Sequence, residues 1–122
     1  YLMYAYARAH SLAARAAPAD APPFLEEERA SDDGAFLHAD ERALAVQICR
    51  FAEAVDATAA HLQPNLLCEY MFGLASAFNR FYASCPVLGD PAEHRRAALC
   101  RAALVLMREG MGLLGVPSLS RV

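Results

Sequence analysis

Lysine is absent from this 122-residue chain, and all eleven of its basic residues are arginine. With no lysine there is no glycine-lysine phosphate loop of the nucleotide-binding kind. The four cysteines, Cys49, Cys68, Cys85 and Cys100, include no two that stand two residues apart. That spacing excludes a zinc knuckle and a thioredoxin-like redox pair. Each cysteine sits in an apolar helical stretch, so the expected state is a buried, reduced thiol, with no disulfide and no metal. No apolar run approaches the ~18 residues that a membrane span needs. A basic and apolar leader of secretory type is also missing. Position 1 is Tyr, not Met, which fits a chain cut from a longer one, with any targeting segment lost. The histidines His10, His38, His61 and His94 are scattered and keep no ligand spacing with a carboxylate. No catalytic constellation and no metal-ligating set is therefore expected.

What is present is a single-domain length with material for one core. Hydrophobic residues make up 57% of the chain, many of them alanine. The formal net charge of -3 hides an uneven distribution. Between Ala17 and Glu41 lie eight acids (Asp20, Glu26, Glu27, Glu28, Asp32, Asp33, Asp40, Glu41) and one base, Arg29. Outside that segment ten arginines face six acids. The body is thus mildly basic and one segment is acidic. Guanidinium forks pair with phosphates and stack on bases. A compositional bias towards alanine and arginine explains the missing lysine equally well.

The chain is organised around the stretch from Leu66 to Leu88. Leu67, Met71, Leu74, Phe78, Phe81 and Cys85 recur at steps of four, three, four, three and four. That is one apolar stripe on a helix that faces the core. Glu69, Ser76, Asn79 and Arg80 fall off the stripe, and Pro86 ends the helix near Cys85. Asn79, Arg80, Tyr82 and the exit from Cys85 to Leu88 make a polar and aromatic rim at which RNA could sit.

Tyr1 to about Ala16 reads as a first helix. Tyr1, Tyr4, Arg8, Ser11 and Arg15 share one face, and Leu2, Tyr6, Ala9 and Ala13 another. An aromatic and cationic stripe suits stacking on unpaired bases while arginine holds phosphate. It also suits plain packing with solvated arginines. Ala17 to Gly34 is rich in acids and holds Pro18, Pro22, Pro23 and Gly34, so it reads as an irregular insertion, about 17–39. Phe24-Leu25 and Phe36-Leu37 are placed to pin its ends. Such a loop is solvated, or else binds a partner. Asp40 to about Gln63 should be helical in one or two pieces, capped by Asp40, with Leu44, Ile48, Phe51, Val55 and Leu62 inward. Pro64 separates it from the central helix or opens that helix. A last helix from Pro91 to about Leu114 is announced by Asp90, Pro91 and Glu93. Its inward face is expected at Leu99, Ala102, Leu106, Gly110 and Leu113, with Arg95, Arg96 and Arg101 decorating its first half. Gly110 and Gly112 weaken the last turns, in a way that would let a neighbour approach closely, and Gly115 is the left-handed stop.

Three passages carry a family resemblance. They are Tyr1-Leu2-Met3-Tyr4-Ala5-Tyr6-Ala7-Arg8, then Phe78-Asn79-Arg80-Phe81-Tyr82 with Cys85-Pro86-Val87-Leu88, and Gly110-Met111-Gly112-Leu113-Leu114-Gly115-Val116. In order and spacing the chain resembles, over nearly its whole length, the carboxy-terminal anticodon-binding domain of arginyl-tRNA synthetase, an all-α module shared by class I synthetases. The resemblance implies a single bundle of four to five helices with antiparallel neighbours. It implies recognition of the anticodon arm of arginine tRNA by Tyr4, Arg8, Asn79, Arg80, Tyr82, Val87, Leu88 and Arg121. Tyr6 stands where the family often has histidine. Phe51-Ala52 replaces its phenylalanine-proline break, and Val122 replaces its terminal methionine.

By the same resemblance the chain is part of arginine-tRNA ligase, an ATP-dependent enzyme. The two signature motifs of the catalytic domain are absent from these residues. ATP with magnesium is implied for a catalytic domain elsewhere in the same polypeptide, and no cofactor for this one. The implied compartment is the cytoplasm, with neither DNA nor a membrane as partner. Two other assignments remain open on the residues alone: a helical protein-interaction module, and the equivalent domain of another class I synthetase.

Overall fold

The computed structural model describes residues 1–15, 38–89 and 93–117, which form five α-helices and no strand. They are α1 (Leu2–Arg15), α2 (Ala39–Cys49), α3 (Phe51–His61), α4 (Pro64–Ser84) and α5 (Glu93–Leu113). The all-α bundle expected from the sequence is therefore what the chain adopts. The acidic stretch with Phe24-Leu25 and Phe36-Leu37, the Asp90-Pro91 signal and Arg121 lie outside the described residues.

The central helix packs against all four others. Its stripe is buried as the spacing requires: Leu67, Met71, Leu74, Phe78, Phe81 and Cys85 are all 3% exposed or less. Phe78 and Phe81 place their rings 6.1 Å apart in the core. Pro64 occupies the first turn of α4, where its missing N–H is one of the donors a helix leaves unused. The Cys85 N–H closes the last turn on the Phe81 carbonyl at 2.9 Å, and Pro86 cannot extend the ladder.

Around α4 the other helices follow their own apolar faces. α1 buries Ala5, Tyr6, Ala9 and Leu12 and leaves Tyr1, Tyr4, Arg8, Ser11 and Arg15 exposed. α2 and α3 are separated by Arg50 alone. Its backbone, at φ -88° and ψ -1°, tightens the turn so that its N–H bonds the Gln47 carbonyl three residues back at 3.2 Å. The helix breaks here without the proline of the family pattern.

Several expectations need correction. The cap of α2 is His38, whose Nδ1 accepts from the Asp40 N–H at 3.0 Å, and Asp40 lies inside the first turn. Any side chain with an acceptor in reach can serve, so the acid was the more obvious reading and the wrong one. Leu62 is not inward. It ends α3 in the left-handed region, at φ 52°, and is 86% exposed. The face of α5 is rotated by about one residue, because the helix must meet both α1 and α4. Its buried residues are Ala97, Leu99, Cys100, Ala103, Met107, Gly110 and Met111, while Leu113 is 61% exposed. Gly110 does permit close approach, since a Cβ there would fall on the buried Met71 thioether; nothing lies near Gly112. Gly115 takes the left-handed stop at φ 74°. Of the cysteines only Cys85 and Cys100 are buried, and Cys49 and Cys68 are exposed.

The contacts of Gln47 with Tyr70 and Asp40 with Ser84 run α2 antiparallel to α4, and those of Tyr6 with Arg108 and Ala9 with Cys100 run α1 antiparallel to α5, but α1 and α4 are parallel. Tyr1 meets Phe72 and Ser76, whereas Arg8 meets Asn79 and Tyr82, so contacts advance in the same sense along both helices. No short loop joins α1 to α4, so connectivity does not force them to oppose.

Candidate nucleic-acid interface

The parallel pairing of α1 and α4 joins the amino-terminal stripe to the rim of the central helix. The Arg8 guanidinium donates from Nη1 to Asn79 Oδ1 at 3.2 Å. Its carbon also lies 5.5 Å from the centroid of the Tyr82 ring, which is a cation–π distance. One helical turn at a time, the same seam continues upstream. The Tyr1 ring rests 5.1 Å from Phe72, and its hydroxyl reaches Ser76 Oγ at 3.4 Å. Phe72, Ser76 and Asn79 follow one another at steps of four and three, so they form a second stripe on α4, turned outward. The result is a ridge with rings at Tyr1, Tyr4, Phe72 and Tyr82, all at least 41% exposed. Exposed rings in this number are costly to leave in water unless they serve a partner.

The ridge carries the exposed guanidinium of Arg8, with Arg80 beside it. Hydrogen bonding by Asn79 and then Ser76 lowers the pKa of the Tyr1 phenol against the opposing effect of burial, and the charges of Arg80 and Arg8 lower it further. Arg8 uses one of its donors on Asn79, and a guanidinium has five.

The turn that follows α4 is held from behind. Val87 is 5% exposed and packs into the core, while Leu88 is 44% exposed. Arg96 donates from Nη1 to the Pro86 carbonyl at 2.6 Å and from Nε to Glu41 Oε1 at 2.7 Å. Arg95 Nε reaches Glu41 Oε2 at 3.0 Å. Glu41 is fully buried, so one carboxylate bridges two guanidiniums inside the bundle. A second tie lies beside it, where Ser84 Oγ donates to Asp40 Oδ2 at 2.6 Å. Arg95 and Arg96 therefore do not decorate the surface as the sequence suggested. They fasten α2, α5 and the Pro86–Leu88 turn together.

Of the residues singled out in the sequence, Tyr4, Arg8, Asn79 and Tyr82 share the ridge. Arg80 is exposed on the same helix, and Leu88 is exposed in the turn that follows it. Val87 presents its side chain to the core, and Arg121 lies outside the described residues. Phe72 and Ser76 were missed. The signal was available in their spacing from Asn79, but an exposed phenylalanine beside a core stripe reads as part of that core. Among the described residues no group of three His, Cys, Asp or Glu is close enough to hold a metal ion, and no helix is long and apolar enough to cross a membrane.

Comparison with known proteins shows the family. Residues 2–122 match the DALR anticodon binding domain family. The chain is 38% identical, over all of its length and 18% of the relative's, to the chloroplastic/mitochondrial arginine–tRNA ligase of Arabidopsis thaliana. It is 39% identical to the arginine–tRNA ligase of Cutibacterium acnes, covering 23% of it. Among solved structures, Thermus thermophilus arginyl-tRNA synthetase superposes with a TM-score of 0.74 at 29% identity, over the whole of this chain and 21% of that one. The chain thus spans about a fifth of the length of the curated relatives it matches.

Proposed function

The chain belongs to the DALR anticodon-binding domain family, and from that premise we propose that the α1–α4 ridge grips the anticodon arm of a tRNA, with arginine tRNA as the cognate. The observation that carries this is Arg8, whose guanidinium touches Asn79 on one side and Tyr82 on the other. Contact to phosphate positions the RNA, and contact to base edges specifies it. Arg8 keeps donors for a phosphate oxygen while it holds Asn79 in place. Asn79 offers its amide to the edge of a splayed base. Tyr4 and Tyr82 offer ring faces to bases that leave the loop stack, each worth ~1–3 kcal/mol. Leu88 supplies an apolar stop at the end of the ridge, seated by the buried Val87 and by the Arg96 bond to the Pro86 carbonyl. Arg121 is the remaining proposed contact.

On this reading the chain is the tRNA-recognition part of an arginine-tRNA ligase. Activation of arginine, with the ATP and magnesium it uses, belongs to the part of such an enzyme outside these residues. Docking of the anticodon arm sets where the acceptor end falls, so damage to the ridge weakens charging and leaves amino-acid activation intact. The compartment proposed is the cytoplasm, as for the cytoplasmic arginine–tRNA ligase of Arabidopsis thaliana, which is 36% identical.

The test is a gel-shift competition with stem–loop RNAs that differ only in the anticodon. Arginine anticodons should compete best, and Arg8→Gln should flatten the difference. Equal competition by every anticodon overturns the reading and favours a protein-interaction module. Preference for a different identity moves the domain to another class I synthetase.

A further inference from the structure

We infer that the groove between α2 and α4 is a second RNA-contact site, which takes backbone phosphates beside the bases that meet the ridge. The inference rests on the function proposed above and extends it to residues that no comparison assigns. The groove has a volume of about 620 Å³ and is open to solvent. Arg42 and Arg50 stand on the α2 side and Arg80 on the α4 side, and among the described residues no carboxylate lines it. All three arginines are exposed, and among the described residues none forms an ion pair.

That contrast with Arg95 and Arg96 is informative. The protein has buried one carboxylate between two arginines, yet among the described residues no carboxylate pairs with the three that line one groove. Like charges gathered on a concave surface focus a positive potential and raise the local concentration of anions. Small residues, Ala39, Ala43, Gly73, Ser76 and Ala77, line much of it, and a Cβ at Gly73 would meet only the movable end of the Gln47 side chain.

The groove and the ridge are one continuous surface. Phe72 and Ser76 line the groove and also meet the ring and hydroxyl of Tyr1. The charge of Arg80 reaches Tyr1 as well as the groove. An RNA strand whose unpaired bases lie on Tyr4 and Tyr82 therefore has its next phosphates within reach of Arg80, then of Arg42 and Arg50. Guanidinium forks match phosphate oxygens, which makes RNA backbone the fitting occupant.

The test uses the 122-residue chain and an arginine-anticodon stem–loop, titrated by fluorescence anisotropy between 50 and 200 mM potassium chloride, the range in which phosphate contacts are exposed by salt. Each phosphate contact contributes about 0.7–0.9 to the slope of log affinity against log salt. Arg42→Gln with Arg50→Gln should reduce that slope by about 1.4–1.8, so the variant loses roughly 7- to 12-fold less affinity over that fourfold salt range. Preference for the arginine anticodon should stay as it is. Arg42→Lys with Arg50→Lys should retain the slope, and circular dichroism confirms that each variant folds. An unchanged slope in the glutamine variant overturns the inference while the ridge reading stands. Competition by polyglutamate as strong as that by a single-stranded RNA of equal charge also overturns it, and makes the groove a site for acidic protein. If the unaltered chain shows no anticodon preference, the ridge reading fails and the groove assignment falls with it.

Discussion

Replacing Glu41 by glutamine should cost the bundle about 3–5 kcal/mol, the range for removing one partner of a buried ion pair. The magnitude follows from what the carboxylate does. Glu41 is fully buried, and the side chains of Arg95 and Arg96 are only 16% and 11% exposed. Their Nε atoms lie 3.0 and 2.7 Å from its two oxygens. Glutamine keeps the shape but removes the charge, and it turns an amide N–H towards a guanidinium. Two cations are then held largely out of water without the charge of Glu41. A domain of this kind has about 5–15 kcal/mol of stability in all, so most of the variant stays folded at room temperature but with little reserve. Urea unfolding followed by circular dichroism measures the loss. With a slope near ~2 kcal/mol per molar, the midpoint should fall by roughly 1.5–2.5 M. A companion variant separates charge from packing. Glu41→Leu with Arg95→Met and Arg96→Met removes all three charges, and should cost far less than the single change, because a buried triad is often nearly matched by apolar side chains. A loss under ~1 kcal/mol for Glu41→Gln would refute the reasoning, since it would mean that water reaches the cluster.

Other outcomes follow from the same structure. With iodoacetamide at pH 8, Cys49 and Cys68 should be modified within minutes, while Cys85 and Cys100 resist until denaturant is added; mass spectrometry counts the adducts, and four rapid additions would contradict the burial. Leu62→Gly should raise the melting temperature by about 2–4 °C, because the residue is 86% exposed and sits at φ 52°, so strain is relieved and almost no burial is lost. Burial pushes the Tyr70 phenol and the Cys100 thiol each up to about 12. Both pKa values are therefore higher in the folded chain than in the unfolded one. Their contribution is complete below the unfolded values, near 10 and 9, and is lost as pH rises towards about 12, so thermal unfolding should become easier across that alkaline window. A melting temperature that stays level from pH 9 to pH 12 would contradict it.

The sequence made the skeleton legible because long apolar periodicity survives tertiary context. The stripe from Leu67 to Cys85 on α4, the proline at its start and the proline after its end all hold. Faces that serve two neighbours were less legible. α5 packs on both α1 and α4, so its buried set, centred on Cys100, Ala103 and Met107, is wider than one spaced row and is turned from the expected one. The cap at His38 and the exposed Leu62 depend on local backbone geometry that residue type alone does not dictate. In the sequence Glu41 is one acid of an acidic segment and Arg96 a base that decorates its helix. Their meeting spans 55 residues, and nothing in a single sequence pairs them. For the ridge, periodicity placed Tyr4 and Arg8 on one exposed face and Asn79 and Tyr82 on another. What periodicity could not reveal is that α1 lies parallel to α4, which makes those two faces one.

The most direct test of the ridge is to locate RNA on it. The chain is 13.2 kDa, a size suited to amide-resolved nuclear magnetic resonance. Titrating the isotope-labelled protein with an arginine-anticodon stem–loop should shift the resonances of Tyr4, Arg8, Asn79 and Tyr82 together, at the same RNA concentration, along with their neighbours Phe72 and Ser76. Shifts centred instead on the far side of α5, around the exposed Val105 and Leu113, with the ridge unmoved, would contradict the account.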